Sequence, residues 1–397
     1  MKANSKLRRF VLAILLLCIA LACKKGPGIQ TSTTFLKTYQ TDSSVTALSL
    51  AQMPDGGFII ISSEGAGRPL MTRTDKYGNL AWNRAVQQYG FQNYYANAFL
   101  LADGYHFVAH GTSNLYKFDT LGNLNFVSIP NPNNLTFDDM SHLGLDFMLP
   151  ACSSQFGGYP ENDIYVYDEN LNYQRTDSFR TAGIGGEILG LYISNVSSTG
   201  TYNVSGNIYS RVNWTSIDPF KLFTANIPAK GKTTTTIIDT GDQASFDVFA
   251  SQTFANDSGE VILTERFSST ANTYYPVVVK FDKNLNVVWQ KEFLVNTATI
   301  QPEKILSCKD GGFIVVGSIQ STGTPYTQPY ALKIDANGNK LWDKAMTSSS
   351  LEGNGNFNSA LELSDGSLAF IGSTSQFGKG LNGTRILFVK TDANGNL

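Results

Sequence analysis

The chain has 397 residues, a formal net charge of -2 at pH 7 and only 16% charged residues. A charge so close to zero argues against a nucleic-acid groove, which needs a basic field to neutralise phosphates. The chain is longer than most single domains, so its length favours either several domains or one array of repeats. Its 36 glycines and 12% aromatic residues are typical of many short strands joined by tight turns.

The first 22 residues have the pattern of a secretory signal. Basic residues precede an apolar run from Phe10 to Ala22, which is shorter than the roughly 20 apolar residues of a membrane-spanning helix. We therefore expect residues 1–22 to be a signal peptide, residues 23–33 to be a small polar tether and residues 34–397 to be the folded body.

The signal ends in Ala20-Leu21-Ala22-Cys23, which resembles the lipobox of bacterial lipoproteins. In that family the chain is cleaved before the cysteine, and the cysteine carries a lipid on its sulfur. The resemblance implies an exported protein that is attached through Cys23 to the outer membrane of a Gram-negative bacterium, on its periplasmic side or its surface. Such a protein is tethered to the membrane and does not span it. Ordinary signal cleavage nearby is the alternative.

A unit of four strands recurs along the body. Its clearest copy runs from Glu303 to Met346, with tight turns at Asp310-Gly311-Gly312 and at Asp335-Ala336-Asn337-Gly338-Asn339. Glycine permits the positive φ of such turns, and an Asp side chain can hold the backbone of its own turn. In chain order, the second turns of the copies begin at Asp75, Asp119, Asp168, Asn226 in the most degenerate copy (roughly Glu187 to Asp239), Asp282, Asp335 and Asp392.

Seven such units, spaced from 44 residues (Asp75 to Asp119) to 58 residues (Asp168 to Asn226), predict an all-β fold. The specific prediction is a seven-bladed β-propeller with four-stranded blades. The last unit lacks its fourth strand, whereas Thr34-Phe35-Leu36-Lys37 copies the aromatic and basic pattern of Trp342-Asp343-Lys344. We predict that this N-terminal strand completes the seventh sheet and closes the ring, which also hides an edge strand.

The spacing Asp-x-x-Gly-x-x-x-Trp, as in Asp75 to Trp82 with Gly78, resembles the repeat of quinoprotein-type propellers, in which the Trp docks one blade on the next. Enzymes of that family hold a quinone cofactor with calcium, often near two adjacent cysteines. No two cysteines adjoin in this sequence, so we expect no cofactor and favour a protein that is not an enzyme. The same repeat occurs in lipid-anchored propellers of bacterial envelopes, including a scaffold for outer-membrane barrel assembly.

Several polar motifs favour structural explanations over chemistry. The sequence Asp-Ala-Asn-Gly-Asn at Asp335 and Asp392 alternates oxygen ligands as a calcium loop does, but the distal Glu of an EF-hand does not follow. It therefore predicts an Asx-stabilised hairpin and no metal site. The three histidines lack metal-ligand spacing. Cys152 and Cys308 fall in distant repeats and are predicted to be buried thiols without a disulfide.

Candidate binding residues lie in the loops that follow second strands and link successive units. These loops emerge opposite the tight hairpins, and aromatic side chains on a rigid scaffold suit protein partners and sugar rings. The repeat register places His110, Glu265 and Arg266 at the exits of second strands. There they either line a polar central pocket or are solvated or paired residues of the rim. The aromatic candidates are Tyr89, Phe91, Tyr94, Tyr95, Phe156, Tyr159, Trp214, Tyr274, Tyr275 and Tyr326.

These observations favour a monomeric recognition or scaffolding module of the cell envelope. Its partner is expected to be an envelope protein or a glycan, its contact with the membrane is expected through the lipid anchor only, and no nucleic-acid partner is expected. A carbohydrate-binding or carbohydrate-cleaving propeller is the alternative. Converging carboxylates would indicate the cleaving enzyme, whereas an aromatic patch without them would indicate the scaffold.

Overall fold

Strands provide all the regular secondary structure of the described residues, and none of these residues is helical. The computed structural model describes residues 34–41, 43–65, 68–85, 98–101, 103, 106–110, 115–128, 141–143, 146–152, 162–179, 187–196, 202–209, 211–213, 216–217, 221–227, 234–238, 249–254, 259–346, 353–375 and 383–397. The predicted all-β class is confirmed.

Thirty strands follow one another along the described chain. The first ten are β1 (Phe35–Tyr39), β2 (Val45–Gln52), β3 (Phe58–Glu64), β4 (Arg68–Thr74), β5 (Leu80–Ala85), β6 (Ala98–Leu100), β7 (His106–His110), β8 (Leu115–Asp119), β9 (Leu124–Ser128) and β10 (Ser141–Leu143). The next ten are β11 (Asp146–Cys152), β12 (Asn162–Asp168), β13 (Tyr173–Phe179), β14 (Glu187–Val196), β15 (Tyr202–Tyr209), β16 (Arg211–Asn213), β17 (Ser216–Ile217), β18 (Lys221–Ile227), β19 (Thr234–Ile238) and β20 (Phe249–Phe254). The last ten are β21 (Glu260–Ser268), β22 (Thr273–Phe281), β23 (Val287–Glu292), β24 (Ala298–Ser307), β25 (Phe313–Ser321), β26 (Gln328–Ile334), β27 (Lys340–Ala345), β28 (Gly355–Glu362), β29 (Leu368–Thr374) and β30 (Arg385–Thr391).

Within the described ranges these strands form seven four-stranded antiparallel sheets, numbered here in chain order. Consecutive strands are neighbours in sheet 1 (β2–β5), sheet 2 (β6–β9), sheet 3 (β10–β13), sheet 5 (β20–β23) and sheet 6 (β24–β27). Sheet 4 contains β14, β15, β18 and β19, because the short pair β16–β17 is inserted between its second and third strands. Sheet 7 contains β28, β29 and β30, and its fourth strand is β1.

The second and third strands are buried because consecutive sheets pack against each other. Every residue of β3 and of β29 is buried. Sheets 5 and 6 share one apolar core that includes Leu263 and Phe313, and sheets 6 and 7 share another. Sheets 7 and 1 share a third, in which the rings of Phe388 and Phe58 lie 5.0 Å apart. Burial on both faces explains why these strands are continuously apolar instead of alternating.

One aspartate holds each described turn that follows a third strand. In sheet 6, Oδ1 of Asp335 accepts hydrogen bonds from the backbone nitrogens of Asn337 and Asn339, at 2.9 and 2.8 Å. Its Oδ2 accepts a third from Nδ2 of Asn339 at 3.0 Å. The same three bonds form at Asp75, Asp119, Asp168, Asp282 and Asp392. The predicted Asx-stabilised hairpins are therefore present, with both carboxylate oxygens engaged.

An aromatic side chain of the fourth strand covers a turn of the next sheet. Trp82 of β5 lies over Gly122 of sheet 2, where a Cβ would come within 2.7 Å of the indole. Two residues further on, Nη1 of Arg84 donates to Oδ1 of Asn123 at 3.0 Å. The same pairing places Trp289 over Gly338 and Trp342 over Gly395. Trp82, Trp289 and Trp342 are therefore half-buried contacts between consecutive sheets and not fully buried core residues.

The strand β1 makes this contact for sheet 7. It pairs antiparallel with β30, from Phe35 opposite Lys390 to Tyr39 opposite Ile386, so the pairing expected of the N-terminal strand is present. The Phe35 ring lies against Gly78 in a turn of sheet 1, and Nζ of Lys37 donates to Oδ1 of the following residue, Asn79, at 3.1 Å. Sheet 7 thus contacts sheet 1 as sheet 1 contacts sheet 2.

Cys308 is a free, buried cysteine, as predicted from the sequence. Burial raises the pKa of its thiol to about 11, which keeps it protonated and unreactive at neutral pH. The side chain of Cys152 lies outside the described residues.

Candidate functional site

The antiparallel strand order gives each sheet two different ends. The turns from first to second strands and from third to fourth strands lie at one end, called here the hairpin end. The connections from second to third strands, and those between consecutive sheets, lie at the other end, called here the loop end. Those candidate binding residues that the structure describes lie towards the loop end.

Most of these candidates lie outside the described residues. For His110 the structure gives the backbone position, at the end of β7, but not the side chain. The candidates that the structure does not describe are Cys23, Tyr89, Phe91, Tyr94, Tyr95, Phe156, Tyr159 and Trp214. The described candidates, Glu265, Arg266, Tyr274, Tyr275 and Tyr326, all come from sheets 5 and 6.

Arg266 and Tyr275 are brought together on one face of sheet 5. They are directly opposite each other on β21 and β22, and both contact Glu292 at the end of β23. Nη1 of Arg266 lies 2.6 Å from Oε1 of Glu292, and the Tyr275 hydroxyl donates to Oε2 at 3.3 Å. Burial and the Glu292 charge raise the pKa of Tyr275. Tyr275 is therefore held as a neutral hydrogen-bond donor and does not act as a base.

Glu265 and Tyr274 belong to the opposite face of the same strands. Tyr274 is opposite Phe267, and their rings pack with centroids 4.9 Å apart and planes inclined by 51°. Glu265 is only 9% exposed. Because successive side chains of a strand point to opposite faces, the neighbours Tyr274 and Tyr275 do not form one patch.

Tyr326 belongs to the connection between β25 and β26 of sheet 6 and is 38% exposed. Tyr274 and its partner Phe267 are both partly exposed at the same end of sheet 5. Tyr274, Phe267 and Tyr326 are called here the loop-end aromatics. They place three aromatic rings, two of which carry a polar hydroxyl group, on the strands and short connections of two adjacent sheets.

Glu303 is an acidic group that the sequence analysis did not consider as a site residue. It occupies a β-bulge of β24, where the register to β25 shifts between Pro302 and Lys304. Glu303 is exposed as a whole residue, but partial desolvation of its carboxylate raises its pKa to about 7.

The first strand of sheet 7 carries a bulge at the equivalent position. Its register shifts around Asn358, whose Nδ2 donates to the carbonyl oxygen of Ala47 in β2 at 2.5 Å. Asn358 also accepts a hydrogen bond from Nδ2 of Asn356. In the second strand behind, Gly372 lies so close that a Cβ would overlap the carbonyl oxygen of Asn356. Amide side chains thus line sheet 7 where Glu303 lines sheet 6.

Metal and membrane-spanning sites are not found in the parts of the chain that the structure describes. No group of three or more His, Cys, Asp and Glu side chains in these parts is placed to hold a metal ion. The described residues also include no helix that is long and apolar enough to cross a membrane.

Comparison with known proteins identifies the fold. No protein-family model matches the chain, and no curated protein matches it. Among solved structures, the chain is similar to the Dos1 propeller, with a TM-score of 0.50, 11% identity and coverage of 91% of this chain and 96% of that chain. It is also similar to the polysaccharide lyase Uly1, with a TM-score of 0.53, 10% identity and coverage of 89% and 98%.

The chain therefore has a β-propeller fold. In this fold four-stranded sheets are arranged around a central channel, and the first strand of each sheet is nearest the axis. Glu303 and Asn358 both lie on first strands, whereas Arg266 lies on a second strand.

Proposed function

We propose that this chain is an exported, lipid-anchored, seven-bladed β-propeller that binds an envelope protein through its loop end. The proposal makes each four-stranded sheet one blade, β1 the strand that closes the ring, and Cys23 the site of the lipid. The proposal adds a class of partner and a binding surface to the general binding role for which a propeller scaffold is suited.

The contacts of β1 support a closed ring. Phe35 and Lys37 repeat, on Gly78 and Asn79, the contacts that Trp82 and Arg84 make on the next sheet. A contact that is the same at the junction of sheets 7 and 1 as at an ordinary junction is expected only if the sheets continue around a circle. Closure of this kind leaves short, protected edges.

The loop-end aromatics are the observation that carries the binding role. Tyr326 remains 38% exposed, and Tyr274 and Phe267 form a partly exposed pair on the adjacent sheet. Tyrosine supplies a large contact area at low cost in conformational entropy, and it is enriched where proteins bind one another. The neighbouring Arg266 already forms an ion pair with Glu292. Its main role is therefore to stabilise the end of the sheet and not to offer a free cation to a partner.

Co-purification tests this role. The full chain would be crosslinked in cells of the source bacterium, purified, and compared with the double variant Tyr274→Ala, Tyr326→Ala. We expect one stoichiometric envelope protein with the wild type and its loss with the double variant. Tyr173→Ala is the control, because Tyr173 is 55% exposed but lies at the hairpin end. Recovery of the same protein from all three chains contradicts the role of the loop end.

A carbohydrate ligand in the channel is the second candidate. It is favoured by the carboxyl group of Glu303 and the amides of Asn356 and Asn358 on adjacent first strands, since carboxylates and amides hydrogen-bond to hydroxyl groups. Binding of purified envelope polysaccharides by the wild type, and its loss in Glu303→Gln, would favour this candidate. Release of unsaturated or hydrolysed sugars would add an enzymatic activity.

A further inference from the structure

Exposed apolar side chains recur at the hairpin end of the described sheets. Nine large apolar side chains of the described residues are exposed, and seven of them lie in, or within two residues after, a turn that follows a third strand. These seven, between 49% and 60% exposed, are Leu80, Leu121, Tyr173, Val287, Val288, Leu341 and Leu397. They are called here the apolar rim. The other two, Leu294 and Tyr326, belong to connections at the loop end.

The turn itself does not require these apolar residues. Its geometry depends on the aspartate and the asparagine four positions later, as at Asp335 and Asn339. The position after the asparagine is Leu80 in sheet 1, but it is Lys340 in sheet 6. A polar residue therefore fits this position. Single exposed apolar residues are ordinary, but their recurrence at one end of six sheets indicates a contact surface.

The planar arrangement of the rim favours a flat partner. The rim residues lie in the turns that follow the third strands of sheets 1, 2, 3, 5, 6 and 7, or within two residues after those turns. The hairpin ends of propeller sheets lie side by side around the axis. A protein partner of ordinary size covers part of such a circle, whereas a bilayer surface contacts all of it at once.

The described part of the chain begins at the same end. The strand β1 starts at the hairpin end, where Phe35 lies against a third-to-fourth turn of sheet 1. Cys23 precedes Thr34 by eleven residues, which can span at most about 40 Å. A lipid on Cys23 would thus keep the start of β1, at the hairpin end, within about 40 Å of the membrane.

Charges at this end are compatible with lipid headgroups. The carboxylate oxygens of the turn aspartates accept hydrogen bonds from their own turns, as at Asp282. Lys76 and Lys283 occupy the same turns. Lysine side chains next to apolar residues reach phosphate groups while their stems lie along the apolar surface.

We propose that the hairpin end is a membrane-contact surface, on which the apolar rim enters the headgroup region of the bilayer to which the chain is tethered. This inference rests on the lipid attachment proposed for Cys23, and it goes beyond a contact through the lipid alone. It orients the propeller with its loop-end aromatics away from the membrane, where a partner can approach them.

Quenching of tryptophan fluorescence by brominated lipids tests this surface. Trp82, Trp289 and Trp342 each lie within two residues of a rim residue, and Trp214→Phe removes the fourth tryptophan. The full chain would be bound to phosphatidylethanolamine–phosphatidylglycerol vesicles with brominated acyl chains. A C-terminal hexahistidine tag with nickel-chelating lipid holds the chain there whether or not Cys23 carries a lipid. Mass spectrometry of Cys23 reports separately on the anchor.

We expect strong quenching of tryptophan fluorescence in the Trp214→Phe parent. We expect several-fold less quenching when the triple substitution Leu80→Ser, Val287→Ser, Leu341→Ser is added to it. The matched control is Leu294→Ser, Tyr326→Ser, which removes exposed apolar groups from the loop end and should retain the full quenching. Equal melting temperatures of the variants exclude unfolding as the cause. Absence of quenching in the vesicle-bound parent, or equal quenching in the triple variant, overturns the proposal.

Discussion

Phe35 of the first strand lies against Gly78 in the turn that ends the third strand of sheet 1. Its strand is hydrogen-bonded to the last strand of the chain, so this one ring joins the two ends of the sequence. The hydroxyl of Tyr39 supports it by donating to the carbonyl oxygen of Gly78 at 2.7 Å. Stability should therefore depend on β1 as much as on any internal strand.

Replacement of Phe35 tests this dependence. Because the ring packs on Gly78 and on Phe388, 5.0 Å away, we expect Phe35→Ala to lower the free energy of unfolding by about 3 kcal/mol. Phe35→Tyr keeps the ring and is the control, with a small expected effect. Urea denaturation measures both variants. An unchanged unfolding midpoint in Phe35→Ala would show that β1 contributes little to the folded state.

The close approach of first and second strands makes a second prediction. A Cβ at Gly372 would overlap the carbonyl oxygen of Asn356, so Gly372→Ala must move backbone and should cost about 3 kcal/mol of unfolding free energy. Gly366→Ala is the control, because its φ is 80° but nothing lies within 4 Å; only backbone strain of about 1 kcal/mol is expected there. Equal losses in the two variants would contradict the close approach.

Glu303 predicts a stability that falls between mildly acidic and neutral pH. The folded protein raises the pKa of this carboxyl from 4.5 to about 7, so the folded state binds the proton more tightly than the unfolded state. Stability from this group is complete below pH 4.5 and is lost as pH rises towards 7. Glu303→Gln should remove this dependence, which melting temperatures at a series of pH values would measure. An identical profile in the variant contradicts the desolvation of Glu303.

The aspartates of the turns predict the opposite dependence at lower pH. The Asn339 side chain and backbone hold the pKa of Asp335 below its usual value of 3.8. The stability that this carboxylate contributes is therefore present above pH 3.8 and is lost as pH falls through the lower, folded-state pKa. Asp335→Asn should lower the melting temperature at pH 7, and the difference from wild type should shrink in acid.

The same turns predict insensitivity to chelators. The two carboxylate oxygens of Asp335 already accept three hydrogen bonds from their own turn, so they need no calcium to hold the backbone. Addition of EDTA should leave the melting temperature unchanged. A marked fall that calcium restores would show that these turns bind metal.

The fold could be predicted from local sequence because the residues of each turn form the hydrogen bonds that stabilise it. The Asp and Asn positions determine the turn without help from distant residues, as at Asp75 and Asn79. The role of Phe35 could be predicted for a related reason. Phe35 repeats the aromatic and basic spacing of Trp342 and Lys344, and it therefore makes the same contact with a turn of the next sheet.

The candidate site was harder to predict because it depends on the pairing register of the strands and on the alternation of side chains between the two faces of a sheet. Tyr274 and Tyr275 were both binding candidates from the sequence, but the pleat places them on opposite faces of sheet 5. Glu292 lies on a fourth strand, and only the pairing of β22 with β23 brings it to Arg266. Glu303 lies in a bulge of β24 and desolvation raises its pKa, and neither the bulge nor the desolvation has a local sequence signal.

Site-specific photo-crosslinking in living cells tests the proposed binding role most directly. A photoreactive amino acid would replace Tyr326 at the loop end or, in a second strain, Tyr173 at the hairpin end. Recognition through the loop end predicts one abundant crosslinked envelope protein from position 326 and none of that protein from position 173. Crosslinks to the same protein from both positions, or from position 173 alone, would contradict recognition through the loop end.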